Sequence, residues 1–372
     1  MKYTYLDNAS TTQMLEEAYE FMLPYFKEKF ENESSTYTKG KENKRVVDNA
    51  REIIANSIGA NTREVYFTSS GTEANNWVLK GILKRGMQCI TSKIEHPSIL
   101  KTLEFLEREG VLVTYLPVDE YGIVSTRDLE NAITKKTALI SIMLVNNEIG
   151  TIQNIKELCS VAKKYNILFH TDAVSAFGHI NINLGELNVD FMTISAHKIY
   201  GPKGVGALYI KEGVVISPLL SGGNQERARR SGTVPVPLIA AFGKCTEIVV
   251  KGIDEEYKRI TAISETFIQK VLKNIEGSFL NGSAQNRCPN IINVGIPNIN
   301  GEDLIILLDK EGFMCSAGSA CTAGSLETSH VITAIGRDDS IASLRVSLGL
   351  FNKEEHLDNL LQALIKVLAI LK

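Results

Sequence analysis

The sequence predicts an α/β protein, with a mainly parallel seven-stranded sheet flanked by helices and a smaller second domain of α+β character. Two observations carry this expectation. Between Val65 and Ile210, short β-branched apolar runs alternate with amphipathic stretches, the pattern of helices packed on a buried parallel sheet. After Lys251 that alternation gives way to a long charged helix, mixed segments and a final amphipathic helix. A chain of 372 residues, 44% of them hydrophobic, can bury one large core and a smaller one.

The seven strands are expected at 64–68, 88–91, 112–117, 138–145, 168–171, 191–194 and 205–210. The change of pattern near Lys251 divides the chain into a large domain over 13–250 and a small domain formed by 1–12 and 251–372. The last helix is opened by Asn352 with Glu355 three residues on, a capping-box arrangement. Within it Leu357, Leu360, Leu361, Leu364, Val367, Leu368 and Leu371 recur at helical spacing and should form one buried face.

Composition narrows the function. A net charge of −3 without any Lys/Arg block argues against a nucleic-acid footprint, which needs concentrated positive charge. No stretch is long and apolar enough to cross a bilayer, and residues 1–10 lack the apolar segment of a secretory signal. The six cysteines, at 89, 159, 245, 288, 315 and 321, have neither metal-ligand spacing nor the density of a disulfide scaffold. A reducing cytoplasm with free thiols and no metal site fits this usage.

Three segments carry chemistry. Ser195-Ala196-His197-Lys198-Ile199-Tyr200-Gly201-Pro202-Lys203-Gly204 places a lysine where a buried strand meets a glycine loop. Desolvation there favours the neutral amine, which can form a Schiff base with an aldehyde cofactor. Ser70-Gly71-Thr72-Glu73-Ala74-Asn75-Asn76 follows a strand and opens a helix, so its backbone N–H groups and hydroxyls can meet a phosphate. Asp172 ends a strand and lies 26 residues before Lys198; a carboxylate there can pair with a protonated pyridine nitrogen. Taken singly, these also read as an exposed loop lysine, an ordinary helix cap and a capping aspartate.

Together the segments resemble the cysteine desulfurases of the NifS/IscS kind, within the class V, fold-type I pyridoxal-phosphate enzymes. The resemblance spans nearly the whole chain, from Tyr5-Leu6-Asp7-Asn8-Ala9-Ser10-Thr11-Thr12 to Leu344-Arg345-Val346-Ser347-Leu348-Gly349. It implies pyridoxal 5′-phosphate held covalently by Lys198, which later moves the substrate's α-proton. It implies His96, in Glu95-His96-Pro97-Ser98, stacked on the ring and engaged in proton transfer, with Asp172 on the pyridine nitrogen. Gly71, Thr72, Ser195 and His197 match phosphate ligands. Asn147, in Asn146-Asn147-Glu148-Ile149-Gly150, sits where the family contacts the ring hydroxyl and substrate. Asn8 and Arg345 match substrate-binding positions, the arginine forking onto the carboxylate. Thr233, in Arg230-Ser231-Gly232-Thr233, resembles the residue that reaches the phosphate of the other subunit, which implies a homodimer.

The distinguishing run is Ser316-Ala317-Gly318-Ser319-Ala320-Cys321-Thr322-Ala323-Gly324-Ser325. So little bulk predicts a mobile loop, over about 315–330, able to carry a thiol from cofactor to acceptor. Family position makes Cys321 the nucleophile and leaves Cys315 structural. The implied reaction converts L-cysteine to L-alanine and leaves a persulfide on Cys321, for an iron–sulfur scaffold or a tRNA-thiolating enzyme. Selenocysteine lyase, aminotransferase and kynureninase are the enzymatic alternatives on the same scaffold. A non-enzymatic sulfur-transfer scaffold is disfavoured by Lys198, Asp172, His96, Cys321 and Arg345 all being in place. Two positions depart from the family pattern: Ser175 stands where a glutamine usually donates to the cofactor's ring oxygen, and Ala228 stands where glycine is usual.

Overall fold

The computed structural model describes residues 3–318, 329–338 and 340–371. Its strands are β1 (Thr4–Tyr5), β2 (Val65–Thr68), β3 (Gln88–Ser92), β4 (Leu112–Leu116), β5 (Thr137–Ser141), β6 (Leu168–Asp172), β7 (Phe191–Ser195), β8 (Gly206–Ile210), β9 (Phe279–Leu280), β10 (Ile291–Pro297), β11 (Phe313–Met314) and β12 (Ile341–Ser347). Seven of them form the main sheet in the order β2-β8-β7-β6-β5-β3-β4. Only β8 opposes its neighbours there, β2 and β7; the other pairings are parallel.

The sheet is covered on both faces, which is why its strands read as unbroken apolar runs. Successive residues divide between two cores: Cys89, Leu139, Phe191 and Leu208 face one, and Ile90, Ile140, Met192 and Ala207 the other. Helices Gly71–Ile82 and Pro97–Arg108 pack over the first face, where Trp77 and Leu103 are fully buried. On the second, helix Val236–Lys251 lies against helix Thr38–Ile58. A separate core gathers Leu6, Phe267, Val294, Leu304, Leu344 and Leu360 between the antiparallel sheet β12-β10-β9 and three helices, Ile253–Asn274, Gly301–Lys310 and Glu354–Leu371.

Two local expectations need correction. The strand expected at 138–145 ends at Ser141. Beyond it Ile142 and Leu144 still donate to β6, but β3 has already stopped, and the Met143 N–H turns to the buried Glu95 carboxylate at 3.0 Å instead of a neighbouring strand. Asn352 does not cap the last helix with its side chain. Its Oδ1 accepts from Gly349 N and Asn8 Nδ2, and its Nδ2 donates to the Tyr5 carbonyl, so it ties the N-terminal strand to the end of β12. The helix itself buries Leu357, Leu360, Leu361, Leu364, Val367 and Leu368, as their spacing predicts. Among the described residues no helix is long and apolar enough to cross a membrane.

Candidate active site

Passing from β3 to the edge strand β4 and back to β5, the chain reverses its direction of travel across the sheet, and crevices open at the carboxyl ends of strands where this happens. A cavity of about 240 Å³ lies at those ends. Ser70, Gly71 and Thr72 reach it from the turn after β2, His96 from the turn after β3, and Asp172 from the last position of β6. Ser195 closes β7, and His197 and Lys198 follow on a short 3₁₀ turn, Ala196–Lys198. Ala9, Ser10, Asn147, Ser175 and Arg345 also line the cavity, with Asn75, Ser98, Met143 and Val174.

Lys198 Nζ donates to the carbonyls of Ala9 and Ser10, the second at 2.8 Å, which tethers the N-terminal segment over the cavity. Beneath it His179 Nε2 donates to the Lys198 carbonyl at 3.1 Å; burial pushes this imidazole down to about 4, so it is neutral at pH 7. Asp172 is buried, with one oxygen accepting from Asn75 Nδ2 at 2.7 Å and the other from Val174 N at 2.9 Å. His96 caps helix Pro97–Arg108, its Nδ1 accepting from Ser98 N. Burial lowers its pKa, Asp172 acts in the opposite direction, and Lys198 and His330 add to the lowering.

The phosphate end is a helix N-terminus. Ser70 Oγ caps helix Gly71–Ile82 by accepting from Glu73 N, and the first residues of that helix, Gly71 and Thr72, line the cavity. A Cβ on Gly71 would lie 2.8 Å from Val174 Cγ2 and also meet Ser195, so a side chain there would close the cradle. Ser195 Oγ is buried and has no hydrogen-bond partner among the described residues, the state of a hydroxyl whose partner is a ligand. Burial, reinforced by Lys198, Lys203 and His96, pushes His197 down to about 4. Residues of this chemistry fit pyridoxal phosphate: amides and hydroxyls for the phosphate, a carboxylate for the pyridine nitrogen, an amine for the aldehyde.

Arg345 is 1% exposed at the cavity edge on β12. Its Nη2 donates to Asp7 Oδ1 and Ser10 Oγ, each at 2.7 Å, and its Nη1 to the Asn147 carbonyl at 3.1 Å. Among the described residues its buried Nε has no hydrogen-bond partner. The same residue's backbone pairs with Ser316, its N–H donating to the Ser316 carbonyl at 2.7 Å, so the start of the small-residue run is fastened beside the arginine. Beyond that run Ser329 Oγ donates to the buried Glu148 at 2.5 Å; burial raises the pKa of this carboxyl, against the pull of Ser329, His330 and Arg345.

Not every expected residue reaches the cavity. Asn8 points away, its amide donating to the Ser347 carbonyl and to Asn352 Oδ1. Thr233 is exposed in a separate cleft with Glu226 and Arg230. Cys321 lies outside the described residues. Asp7, Ser10, Asn75 and Ser98, by contrast, hold Arg345, Lys198, Asp172 and His96 in place and were not singled out from sequence. Each sits inside a motif already noted, within three positions of an expected residue, which is the signal that marks them.

Residues 4–360 match the aminotransferase class-V family. Cysteine desulfurase IscS of Dictyoglomus turgidum is 48% identical over 370 residues, covering 98% of this chain and 94% of its own. Among solved structures, a NifS-like protein superposes with a TM-score of 0.93 at 36% identity, covering 99% of this chain and 100% of its own. SspA, solved in complex with cysteine, superposes with a TM-score of 0.82 at 35% identity, covering 92% of this chain and 98% of its own. The chain therefore belongs to the cysteine desulfurases of the class-V aminotransferase family, pyridoxal-phosphate enzymes of fold type I.

Proposed function

We propose that this chain converts L-cysteine and the Cys321 thiol to L-alanine and a Cys321 persulfide. The Cβ–S bond of the substrate breaks, an S–S bond forms, and the protons balance between the two thiols consumed and the alanine and persulfide produced. The observation that carries this reading is the convergence of Lys198, Asp172, His96 and Arg345 on one cavity, with the segment that leads to Cys321 fastened at Ser316 to the backbone of Arg345. SspA in complex with cysteine supports L-cysteine as the ligand.

Pyridoxal phosphate, when bound, supplies an electron sink for negative charge at the substrate Cα. Gly71, Thr72, Ser195 and His197 would hold its phosphate, Asp172 its pyridine nitrogen, and Asn147 and Ser175 its ring oxygen side. Lys198 Nζ would hold the cofactor's aldehyde carbon and would move the substrate's Cα proton. Arg345 offers the substrate carboxylate its Nε–H, and Asp7 and Ser10 keep the guanidinium plane fixed.

Several finer features belong to the same reading. Leu6 packs in the second core and Leu15 in the first, which supports a division into 13–250 and 1–12 with 251–372. A homodimer in which Thr233 serves the partner's phosphate is supported by its exposure in a separate cleft, and by large aromatics left bare on the surface, such as Phe26 and Phe30, 56% and 71% exposed. The acceptor is an iron–sulfur scaffold or a tRNA-thiolating enzyme, and the setting is cytoplasmic.

The test is alanine and sulfide release from L-cysteine with a reductant, comparing wild type with Cys321→Ala. Equal release of both products by wild type, and a variant that keeps its yellow cofactor but loses turnover, is the expected result. A fully active variant would remove Cys321 from the reaction and leave a lyase.

A further inference from the structure

His96 Nδ1 is approached by two hydrogens. The Ser98 backbone N–H donates to it at 3.1 Å, and the Ser98 hydroxyl lies 2.8 Å away. A backbone amide always carries its proton, so Nδ1 must be an acceptor, and in the neutral ring the proton sits on Nε2. The hydroxyl proton is fixed by the next link. Asn75 Nδ2 donates one hydrogen to Asp172 Oδ2 at 2.7 Å and the other to Ser98 Oγ at 2.8 Å. Because Nδ1 carries no proton and Asn75 donates to Ser98 Oγ, the Ser98 hydroxyl is the donor to His96 Nδ1. All members of this chain are buried or half-buried, and Asn75 is 1% exposed.

We propose that Ser98 and Asn75 are positioning residues that hold His96 as its Nε2–H tautomer, so that it offers the cavity a hydrogen donor rather than a base. The inference rests on the reading of His96 as part of the active site, and it assigns the base role to Lys198 alone. One amide, Asn75, joins the carboxylate Asp172 to the imidazole, so the two groups share a single orientation. Protonating His96 requires a proton at Nδ1, which breaks both bonds from Ser98. The charged or titratable groups facing the ring are Asp172, Lys198, His197 and His330; of these only Asp172 favours the cation, and its second oxygen is already held by Val174 N.

The experiment is nitrogen-15 NMR of the full chain labelled at histidine, free of cofactor, with His96→Gln to assign the signal. Wild type is expected to show an unprotonated Nδ1 and a protonated Nε2. In Ser98→Ala, which removes one of two donors, the apparent pKa of His96 should rise by roughly 0.5–1 pH unit, the worth of one neutral hydrogen bond. Ser98→Thr should restore the wild-type signature. A protonated Nδ1 in wild type, or a Ser98→Ala titration that superimposes on it, would overturn the proposal. Absorbance of the lysine-bound cofactor after addition of pyridoxal phosphate separates the two levels: a fixed tautomer in a chain that binds no cofactor sinks the active-site reading, and a cofactor-binding chain with a mixed tautomer sinks this one.

Discussion

Arg51 and Arg345 are both buried, and the way each is paired separates structure from function. Arg51 forks onto Glu226 with two bonds of 2.7 Å, adds the Val65 carbonyl at 2.8 Å, and lies 4.6 Å from the centre of the Phe67 ring. Glu226 in turn accepts from Phe67 N at 2.9 Å. Arg345 divides one nitrogen between Asp7 and Ser10 and, among the described residues, leaves Nε without an acceptor, at the edge of a cavity. A buried charge that is fully satisfied locks the fold, whereas a buried donor kept unsatisfied is retained for something that arrives later.

The largest effects should fall on opposite properties. Glu226→Ala strands the Arg51 cation and the Phe67 amide, and should cost about 3–5 kcal/mol in urea unfolding. Arg345→Lys loses the planar fork and should lower kcat/KM for L-cysteine by about 10–100-fold, equivalent to one or two charge-assisted hydrogen bonds, with a smaller change in unfolding free energy. The contrast collapses if Glu226→Ala unfolds like wild type, or if Arg345→Lys turns over cysteine normally.

Protonation sharpens the same distinction. His170 is sealed under the sheet between Ser141 Oγ and Thr193 Oγ1, and burial pushes it down to about 3. His197, at about 4, borders the cavity with a single 3.3 Å contact to Thr11. Both are neutral in the folded chain and take up a proton near pH 6.5 when unfolded. Their stabilisation is therefore complete above about pH 6.5 and is lost as pH falls toward the folded values, at up to about 1.4 kcal/mol per pH unit for each histidine. Pyridoxal phosphate should raise the pKa of His197 and leave that of His170 unmoved, as read by NMR titration. Equal movement of both would mean that the cavity does not place phosphate beside His197.

The positions of the strands were legible as apolar runs because a sheet covered on both faces needs them, and the faces separate as cleanly as Cys89 from Ile90. The end of β5 was not legible, because a side chain, Glu95, replaces a strand as the hydrogen-bond partner of Met143. Site residues that announce themselves by type and motif, such as Lys198 and Asp172, reach the cavity. Those that act by orienting them did not stand out, since Asn75 and Ser98 look like ordinary helix-start residues until their partners, 97 and 23 positions from Asn75, are brought alongside. Asn8 shows the opposite error: it shares a motif with Ser10, but residues 8–10 form a turn, with Ser10 N donating to the Asp7 carbonyl, so Ala9 and Ser10 line the cavity while the Asn8 amide turns to Ser347 and Asn352.

The smallest effect concerns the loop that the Arg51 pair anchors. Glu226, Arg227 and Ala228 have φ of 45°, 57° and 60°, three successive left-handed residues without a glycine. Such a conformation costs about 1–2 kcal/mol for each residue with a Cβ, and it persists where neighbours over-determine it, as Arg51 does at Glu226 and the Val65 carbonyl does at Arg227. Ala228 is exposed, so its methyl group adds little burial in return. Ala228→Gly removes the strain but frees the unfolded chain by about 0.4–1 kcal/mol, and the net gain should be about 0.5–1 kcal/mol in urea unfolding. In a Glu226→Ala background the loop is released and its strain relaxes without the glycine, so the gain should vanish. A gain of the same size in both backgrounds would show that the ion pair does not hold the left-handed run, and that the sealing seen at Arg51 ends at Glu226 itself.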